Sequence, residues 1–296
     1  MSENFKNICY DSNPHFKIHH SFGNYNAEET LNYLHYDQEL IVEFYAKGET
    51  CVRIEGNLYE VHEGDVLFLN PDEVHVSAPV KNCYMEKIVI HVSETLLQLF
   101  GGDHKVFLDS ISKKSKGKGN LISADVVHKR HIDKNIKQCL AYAKENTLEN
   151  QVLTACKIIE VLAELSKLVE NDEDFYSNSF SSNKTINRIV DYINRHYTEE
   201  ITLDVLAKRF HFSKYYISHL FKEQVGISPY EYLISRRLYV CNNLIRTNHT
   251  IKEACFLVGF NNYANFYRLY KKHFKITPQQ FKEQLRTEFV SKQKFR

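Results

Sequence analysis

The sequence has 296 residues, of which 43% are hydrophobic and 25% charged, with 10 Gly and 5 Pro. This length allows two compact domains, and the composition is ordinary for a soluble protein. No apolar run reaches the roughly 18–20 residues of a membrane span, and no signal peptide is visible, so we expect no membrane partner. The seven cysteines lie far apart without a C-x-x-C pair, which indicates reduced thiols in a cytoplasmic protein.

The net charge of +1 conceals an uneven distribution along the chain. Residues 184–296 carry a net charge of +11, whereas residues 1–183 carry −10. A basic third joined to an acidic two-thirds predicts a polyanion-binding module attached to a separate sensor or partner module. The alternative is chance clustering of charged residues.

Residues 31–92 alternate between short apolar runs and turn residues, a pattern that indicates β-strands. The runs are 40–42, 44–45, 51–54, 66–69 and 87–90, and the turns are 47–49, 55–57, 63–65 and 70–72. Evenly spaced short strands predict a sandwich or a small barrel.

Three pieces of this region, residues 35–48, 55–57 and 64–75, resemble a cupin domain over roughly 60 residues. The resemblance implies a barrel whose mouth can hold a small-molecule effector. Such sites combine apolar walls with a few placed polar groups. The candidate wall residues are His35, Phe44, Tyr45 and His75. Ordinary barrel core is the other interpretation of each.

The cupin resemblance also raises the question of a metal. His35, Glu39 and His75 occupy three positions at which metal-dependent cupins carry ligands, but Tyr33 stands at the first histidine position. We therefore expect no metal and no other cofactor. An incomplete metal site at those three residues stays the alternative.

The apolar spacing becomes helical over residues 124–169 and predicts two amphipathic helices with a break near Asn146 and Asn150. Their surplus apolar face could pack on the barrel or on a second copy of the chain, and we favour a homodimer. Residues 170–184 are first acidic and then rich in Ser and Asn, which is typical of a linker.

The stretch 201–285 repeats itself at an offset of about 49 residues, which indicates two copies of one supersecondary unit. Leu220-Phe221-Lys222 returns as Leu269-Tyr270-Lys271, Ser228-Pro229 as Thr277-Pro278, and Tyr232 as Phe281. Capping residues predict a helix pair in each copy. In the first copy Thr202 and Ser213 begin the helices and Gly226 ends the second. We expect its inward face to consist of Tyr216, Ile217, Leu220 and Phe221.

The second copy begins at Thr250, and Asn262 can cap its second helix, 263–274. The two copies are joined by a helix from Tyr230 to Arg246, preceded by Ser228 and by proline at the first helical position. At about 1.5 Å per residue, this helix separates the units by some 25 Å.

These features resemble an AraC/XylS-type regulator over about 85 residues. The points of agreement include Leu206-Ala207, Ser213, 217–222, 226–229, Tyr232, Arg236, Leu238, Leu244, Gly259-Phe260, Phe266, Lys271-Lys272, Thr277-Pro278 and Phe281. The resemblance implies a sensor or dimerisation domain followed by a seven-helix DNA-binding domain. The expected fold class is thus α+β, with an N-terminal cupin-like β-barrel, two following helices, and a C-terminal all-α domain that holds two helix-turn-helix motifs.

Four segments follow from this interpretation. They are a regulatory domain at 1–120, a helical dimerisation segment at 121–170, a linker at 171–184 and the DNA-binding domain at 185–290. Three residues depart from the family pattern. Lys275 stands where glycine is frequent after the second recognition helix, Tyr270 replaces the usual Phe, and Ala264 replaces a frequent serine. We expect a strained backbone at Lys275 and a solvent or protein partner for the Tyr270 hydroxyl.

A recognition helix lies in the major groove, where residues of its N-terminal half reach base edges. The base-reading candidates are Tyr215, Ser218 and His219 in the first unit and Tyr263, Tyr267 and Arg268 in the second. Arg268 leads because a guanidinium grips guanine bidentately, and phosphate contact is its rival role. The phosphate candidates are Lys214, Lys222, Arg236, Lys271 and Lys272.

The predicted function is that of a sequence-specific regulator, not an enzyme, that binds double-stranded promoter DNA and acts as an effector-responsive activator. An activator implies contact with RNA polymerase. The rival from another class is a metal-binding cupin sensor or enzyme fused to a DNA-binding domain. A third interpretation is a ligand-independent DNA binder whose barrel serves only dimer contact.

Overall fold

The computed structural model describes residues 5–25, 39–55, 57–71, 73–77, 82–98, 117–171, 184–247 and 249–293. The chain divides into two compact units, residues 1–182 and 183–296, and the division falls within the predicted linker. None of the described helices is long and apolar enough to cross a lipid bilayer.

The first unit contains nine described strands arranged in two sheets. They are β1 (Lys6–Asn13), β2 (Phe16–Tyr25), β3 (Leu40–Lys47), β4 (Thr50–Ile54), β5 (Asn57–Val61), β6 (Val66–Leu69), β7 (His75–Ser77), β8 (Cys83–Val92) and β9 (Leu121–Ile122). A six-stranded sheet has the order β1-β2-β8-β3-β6-β9, and a three-stranded sheet has the order β5-β4-β7. Each described pairing is antiparallel. The predicted apolar runs therefore lie in strands, as expected.

The central strands β3 and β6 of the six-stranded sheet are buried on both faces, because each face packs against a different layer. The described helices of this unit are α1 (Glu94–Gln98), which precedes β9, and α2 (Ala124–Lys129), α3 (Ile132–Glu145) and α4 (Leu148–Asn171), which follow it. On one face, Val42, Phe44 and Ile90 pack with helical residues such as Ile136 and Leu162. On the other face, residues of the large sheet pack against Val52, Ile54 and Tyr59 of the small sheet.

A buried carboxylate ties the loop before β7 to the segment before β9. Glu73 Oε1 accepts a hydrogen bond from the Gly117 amide at 2.8 Å, and Oε2 accepts from Asn120 Nδ2 and the Asn70 amide, each at 2.8 Å. Three donors satisfy the charge of a side chain that is almost fully buried. Glu73 therefore holds these loops together.

The second unit is helical. Its helices are α5 (Lys184–His196), α6 (Leu203–Phe210), α7 (Lys214–Val225), α8 (Pro229–Arg246), α9 (Ile251–Leu257), α10 (Tyr263–Phe274) and α11 (Pro278–Gln293). The predicted N-caps are confirmed, since the side chains of Thr202, Ser213, Thr250 and Asn262 each accept a hydrogen bond from a backbone amide three residues ahead. Gly226 ends α7 in the left-handed region, also as predicted.

Two of the three departures in the second helix pair have a structural outcome. Lys275 ends α10 with φ of 61°, in the left-handed region that is unfavourable for a residue with a side chain, which gives the expected strain a backbone cause. Tyr270 is fully buried in the core of this pair, and its hydroxyl donates to Asn242 Oδ1 at 2.6 Å. The hydroxyl thus has the partner that the sequence required of it.

Tyr270→Phe tests that contact. Removal of the hydroxyl leaves the Asn242 carbonyl oxygen without this donor in a partly buried place, so we expect a loss of about 1–2 kcal/mol in the free energy of unfolding. Hydrogen exchange of α8 and α10 measures it. The double variant Tyr270→Phe/Asn242→Leu should regain part of the loss, whereas a Tyr270→Phe variant as protected as wild type would contradict the prediction.

Candidate nucleic-acid interface and effector site

The helices predicted to be the first and second recognition helices are α7 and α10, and these names are kept for them below. The first, α7, presents an aromatic and imidazole surface to solvent. Tyr215 is 80% exposed, and its ring stacks on His219 at a centroid distance of 6.0 Å. Ser218 is half-buried beside them. The three candidates thus lie on one side of α7, one turn apart, as base reading requires. Tyr216, expected to face inward, is instead 43% exposed and contacts Phe212. That expectation was wrong because Ile217, Phe221 and Val225 alone fill the buried stripe of α7.

Acidic side chains lie beside two of the basic side chains on this surface. Lys214 Nζ lies 2.6 Å from Asp204 Oδ1 on the first turn of α6. His219 Nδ1 lies 3.9 Å from Glu223 Oε2. A phosphate contact by Lys214 therefore requires that it leave or share this carboxylate, while Lys222 is exposed near the end of the helix.

The second recognition helix, α10, holds its arginine through a neighbour one turn earlier. Arg268 Nη2 donates to Asn265 Oδ1 at 2.9 Å, and the Asn265 amide donates to the N-cap Asn262. The guanidinium is exposed but oriented by this bond. Asn265 was absent from the predicted set, although an amide three residues before an arginine on a helix was a usable signal.

The tyrosines of α10 are less available than expected. Tyr263 and Tyr267 are half-buried and pack against the core of the second helix pair. Tyr263 Oη accepts a hydrogen bond from Gln279 Nε2 at 3.4 Å. The outward polar groups of the N-terminal half of α10 are therefore Asn265 and Arg268.

The phosphate candidates of the second half of the domain fall into two groups. Lys271 and Lys272 are exposed near the end of α10. Arg236 lies on α8 between the rings of Tyr197 and Tyr239, at 5.9 and 5.7 Å, and its Nε and Nη1 are buried without a hydrogen-bond partner among the described residues. A phosphate contact by Arg236 would have to come from Nη2.

The predicted effector wall is divided by the sheet. Tyr45 faces the layer between the two sheets, whereas Phe44 packs with the helices and lies under Lys137 Nζ at 5.2 Å. Phe44 is therefore excluded from the interior, because successive residues of a strand point to opposite faces. His75 is buried and its ring Nδ1 lies 3.0 Å from the Glu73 carbonyl oxygen. His35 lies outside the described residues.

The interior contains a charged group that sequence analysis missed. Glu43 is buried, accepts from Tyr45 Oη at 2.7 Å, and accepts from Lys87 Nζ at 3.1 Å. Burial opposes its ionisation, but Lys87, His75 and Tyr45 outweigh burial and hold the pKa of Glu43 at about 2. A single acidic residue within the apolar run 40–45 was the available signal.

Two histidines continue this polar interior across the sheet. His19 and His91 are in edge contact at 5.1 Å, and His91 Nδ1 lies 3.5 Å from Glu39 Oε2. Burial, assisted by His19, lowers the pKa of His91 to about 4, so its ring is neutral near pH 7.

The alternative metal site is not assembled by the described residues. Glu39 is paired with His91, and His75 with a backbone carbonyl. In the described ranges, no group of three or more His, Cys, Asp or Glu side chains has the arrangement to hold a metal ion. The rival interpretation as a metal-dependent cupin thus gains no support from this part of the chain.

Comparison with known proteins agrees with this division of the chain. The family model of the ExsA N-terminal regulatory domain matches residues 34–178, and that of a helix-turn-helix domain matches residues 206–284. The first match spans most of the sheets and the helices of the first unit, and the second spans both recognition helices.

Three relatives illustrate the similarity. The chain is 33% identical over 109 residues to the uncharacterized HTH-type transcriptional regulator YdiP of Escherichia coli, and this match covers 36% of each chain. It is 25% identical to the lactose operon transcription activator of Staphylococcus xylosus, covering 83% of this chain and 84% of that one. It is 21% identical to the HTH-type regulator YbfI of Bacillus subtilis, covering 78% and 80%.

The chain spans only 36% of YdiP and 13% of YtdP of Bacillus subtilis, whereas the other two relatives match over most of their length. Among solved structures, ToxT of Vibrio cholerae shares 13% identity at a TM-score of 0.38, covering 92% of this chain and 99% of that one. From the two family models and the relatives, the chain belongs to the AraC-type helix-turn-helix transcriptional regulators.

Proposed function

We propose that the second unit reads promoter DNA with α7 and α10, placed in successive major-groove segments. The observation that carries this is the pair of N-capped helices, each with outward polar side chains, joined by the 18-residue helix α8. At 1.5 Å per residue α8 is about 27 Å long, comparable to the roughly 34 Å repeat of the duplex. Because its proposed target is promoter DNA, we propose that the protein acts in the cytoplasm.

Selection of duplexes from a random pool tests this proposal. We expect the bound sequences to share two blocks of preferred bases, centred about 10–10.5 base pairs apart, one for each helix. One block alone, or no enrichment above the starting pool, would contradict recognition by two helices. The phosphate contacts of Lys222, Lys271 and Lys272 are proposed to add affinity without base preference.

We propose that the first unit forms the cupin-like barrel and senses a small molecule at its interior. Its support is a buried polar group between two apolar sheets, formed by Glu43, Tyr45, His75 and Lys87. Such convergent polar groups on apolar walls are typical of ligand sites. Thermal-shift screening with sugars, amino acids and fatty acids tests it. A shift that Tyr45→Phe abolishes would support the site, whereas no shift with any class would favour the ligand-independent interpretation.

We propose that the chain is a homodimer through α4 and that the bound dimer activates transcription by contact with RNA polymerase. The support for α4 is a row of apolar side chains that its first turns leave exposed. Leu148 is 73%, Val152 57% and Leu153 44% exposed, and Cys156 is exposed one turn further. A second copy of the same face would bury this row.

Val152→Asp should disrupt the dimer. A carboxylate at the centre of an apolar contact has no partner, so we expect the dimer to weaken at least tenfold, or about 1.4 kcal/mol. Sedimentation velocity across protein concentrations measures it. The matched control is Lys144→Asp, an exposed position of α3 that should leave the association unchanged. If both variants sediment as wild type does, α4 is not the interface.

A further inference from the structure

A polar cleft of about 350 Å³ lies between α5 and α6, and none of the base-reading candidates lines it. Its lining consists of Arg188, Asp191, Tyr192, Arg195, His196, Arg209 and Phe210. We call Arg188, Arg195 and Arg209 the arginine cluster. Three guanidinium groups face one carboxylate in this lining, so the cleft has an excess of positive charge.

Aromatic rings fix two of the three guanidinium groups. Arg209 Cζ lies 4.5 Å from the Tyr192 ring centroid, and Arg188 Cζ lies 5.7 Å from that of Phe210. The two rings themselves meet edge-on at 5.9 Å. Stacking restrains the planes of side chains that remain exposed, which leaves their N–H edges to bind an oxyanion at a low entropic cost.

The third arginine is held only weakly. Arg195 Nη2 lies 3.6 Å from Asp191 Oδ2, and the two side chains are 77% and 70% exposed. An exposed pair of this kind contributes little free energy, so an incoming anion can replace the carboxylate. Charge-assisted hydrogen bonds from arginine suit phosphate oxygens in particular.

The two helix pairs distribute their cations differently. In the second, Arg268, Lys271 and Lys272 all lie on the recognition helix. In the first, Lys214 of α7 is paired with Asp204, and the arginine cluster lies on α5 and α6. A group of three cations in the first half of this unit therefore lies outside α7.

We infer that the arginine cluster is a phosphate-binding site for the DNA backbone that flanks the base pairs read by α7. The site extends the contact surface from α7 to α5 and α6. It rests on the DNA-binding function but is separate from base reading, since the cluster binds phosphodiester oxygens whatever the sequence. The first unit of the repeat then gains affinity from a surface that its recognition helix does not provide.

Salt dependence of DNA binding tests the site. The probe is a mixed-sequence duplex without a selected operator, titrated with the full chain by fluorescence anisotropy at 50 and 200 mM salt. Each phosphate contact adds about 0.9 to the slope of log affinity against log salt. We expect the triple variant Arg188→Ala/Arg195→Ala/Arg209→Ala to lose about 2.7 from that slope. The factor by which affinity falls between 50 and 200 mM salt should accordingly be about 40-fold smaller for the triple variant than for wild type.

Matched variants separate charge from folding. Asp191→Asn removes the acid of the cleft and should raise the affinity, whereas Lys134→Ala, an exposed cation of the first unit, should leave it unchanged. Should the triple variant lose helicity, Arg195→Ala decides, because Arg195 pairs with an exposed acid rather than with a ring. Its slope should fall by about 0.9.

Some outcomes would contradict phosphate binding by the arginine cluster, and another would contradict the DNA-binding function itself. A folded triple variant with the wild-type slope excludes phosphate binding by the cluster. If that variant also loses reporter activation, the cluster instead meets an acidic protein surface, and the proposal is wrong. A wild-type chain without salt-dependent affinity for any duplex would refute the DNA-binding function itself, which the variants alone cannot do.

Discussion

Replacement of Arg268 by alanine is expected to relax base preference at one operator position by about 1–3 kcal/mol, the value of a bidentate contact with guanine. The reason is geometric. The guanidinium is exposed on the N-terminal half of α10 and is oriented by Asn265 at 2.9 Å. Band shifts with a panel of single-base operator substitutions, obtained after selection, measure the change position by position.

A variant of Asn265 tests whether this residue positions Arg268. If it positions Arg268, then Asn265→Ala should relax the same operator position by a smaller amount, and the double variant should resemble Arg268→Ala alone. Lys271→Ala is the control, since loss of a phosphate contact lowers affinity for every sequence alike. Uniform weakening by Arg268→Ala would assign that side chain to the phosphate backbone.

Replacement of Lys87 by methionine is expected to destabilise the first unit by about 3–5 kcal/mol, because it leaves the buried Glu43 carboxylate without its cation. Hydrogen exchange of β3 and β8 reports this loss within the first unit, independently of the helical unit. The double variant Glu43→Gln/Lys87→Met should recover most of it, since no uncompensated charge then remains. Equal protection in wild type and Lys87→Met would show that Glu43 does not depend on this partner.

The same pair predicts a pH dependence with a defined sign. Lys87, His75 and Tyr45 hold the pKa of Glu43 at about 2, below its ordinary value of 4.5. The resulting stability is complete above pH 4.5 and is lost as the pH falls through 2. Without Lys87, burial raises that pKa, so the deficit of Lys87→Met relative to wild type should shrink on acidification. A deficit that is constant from about pH 7 to about pH 4 would contradict this account.

Local chemistry explains why the helical unit could be predicted in detail. Thr202, Ser213 and Asn262 bond to amides three residues ahead, so their positions in the sequence alone define where helices begin. Gly226 marks the end of α7 in the same way, because its φ is positive and glycine adopts that conformation readily. The predicted linker at 171–184 lies mostly outside the described residues, and the domain boundaries around 120 stay predictions.

Alternation of side chains along a strand separates two of the predicted wall residues. Phe44 and Tyr45 were assigned to one pocket although they are adjacent in β3, where alternation sends them to opposite faces. The sequence does not indicate which face of the large sheet lies toward the small sheet. Both faces of the large sheet carry mostly apolar side chains, so the sequence pattern does not distinguish the helical layer from the second sheet.

The sequence by itself determined the class of this protein, because a repeated pattern of caps, apolar spacing and turns is formed by residues that lie close together in the chain. It also determined that the net positive charge lies in residues 184–296. Only the tertiary structure decided how individual charges are used. Asp204 neutralises Lys214, Lys87 neutralises Glu43, and the arginine cluster assembles from two helices. Such pairings depend on distances of a few ångströms between residues on different helices or strands. The spacing of residues along the sequence does not encode these distances.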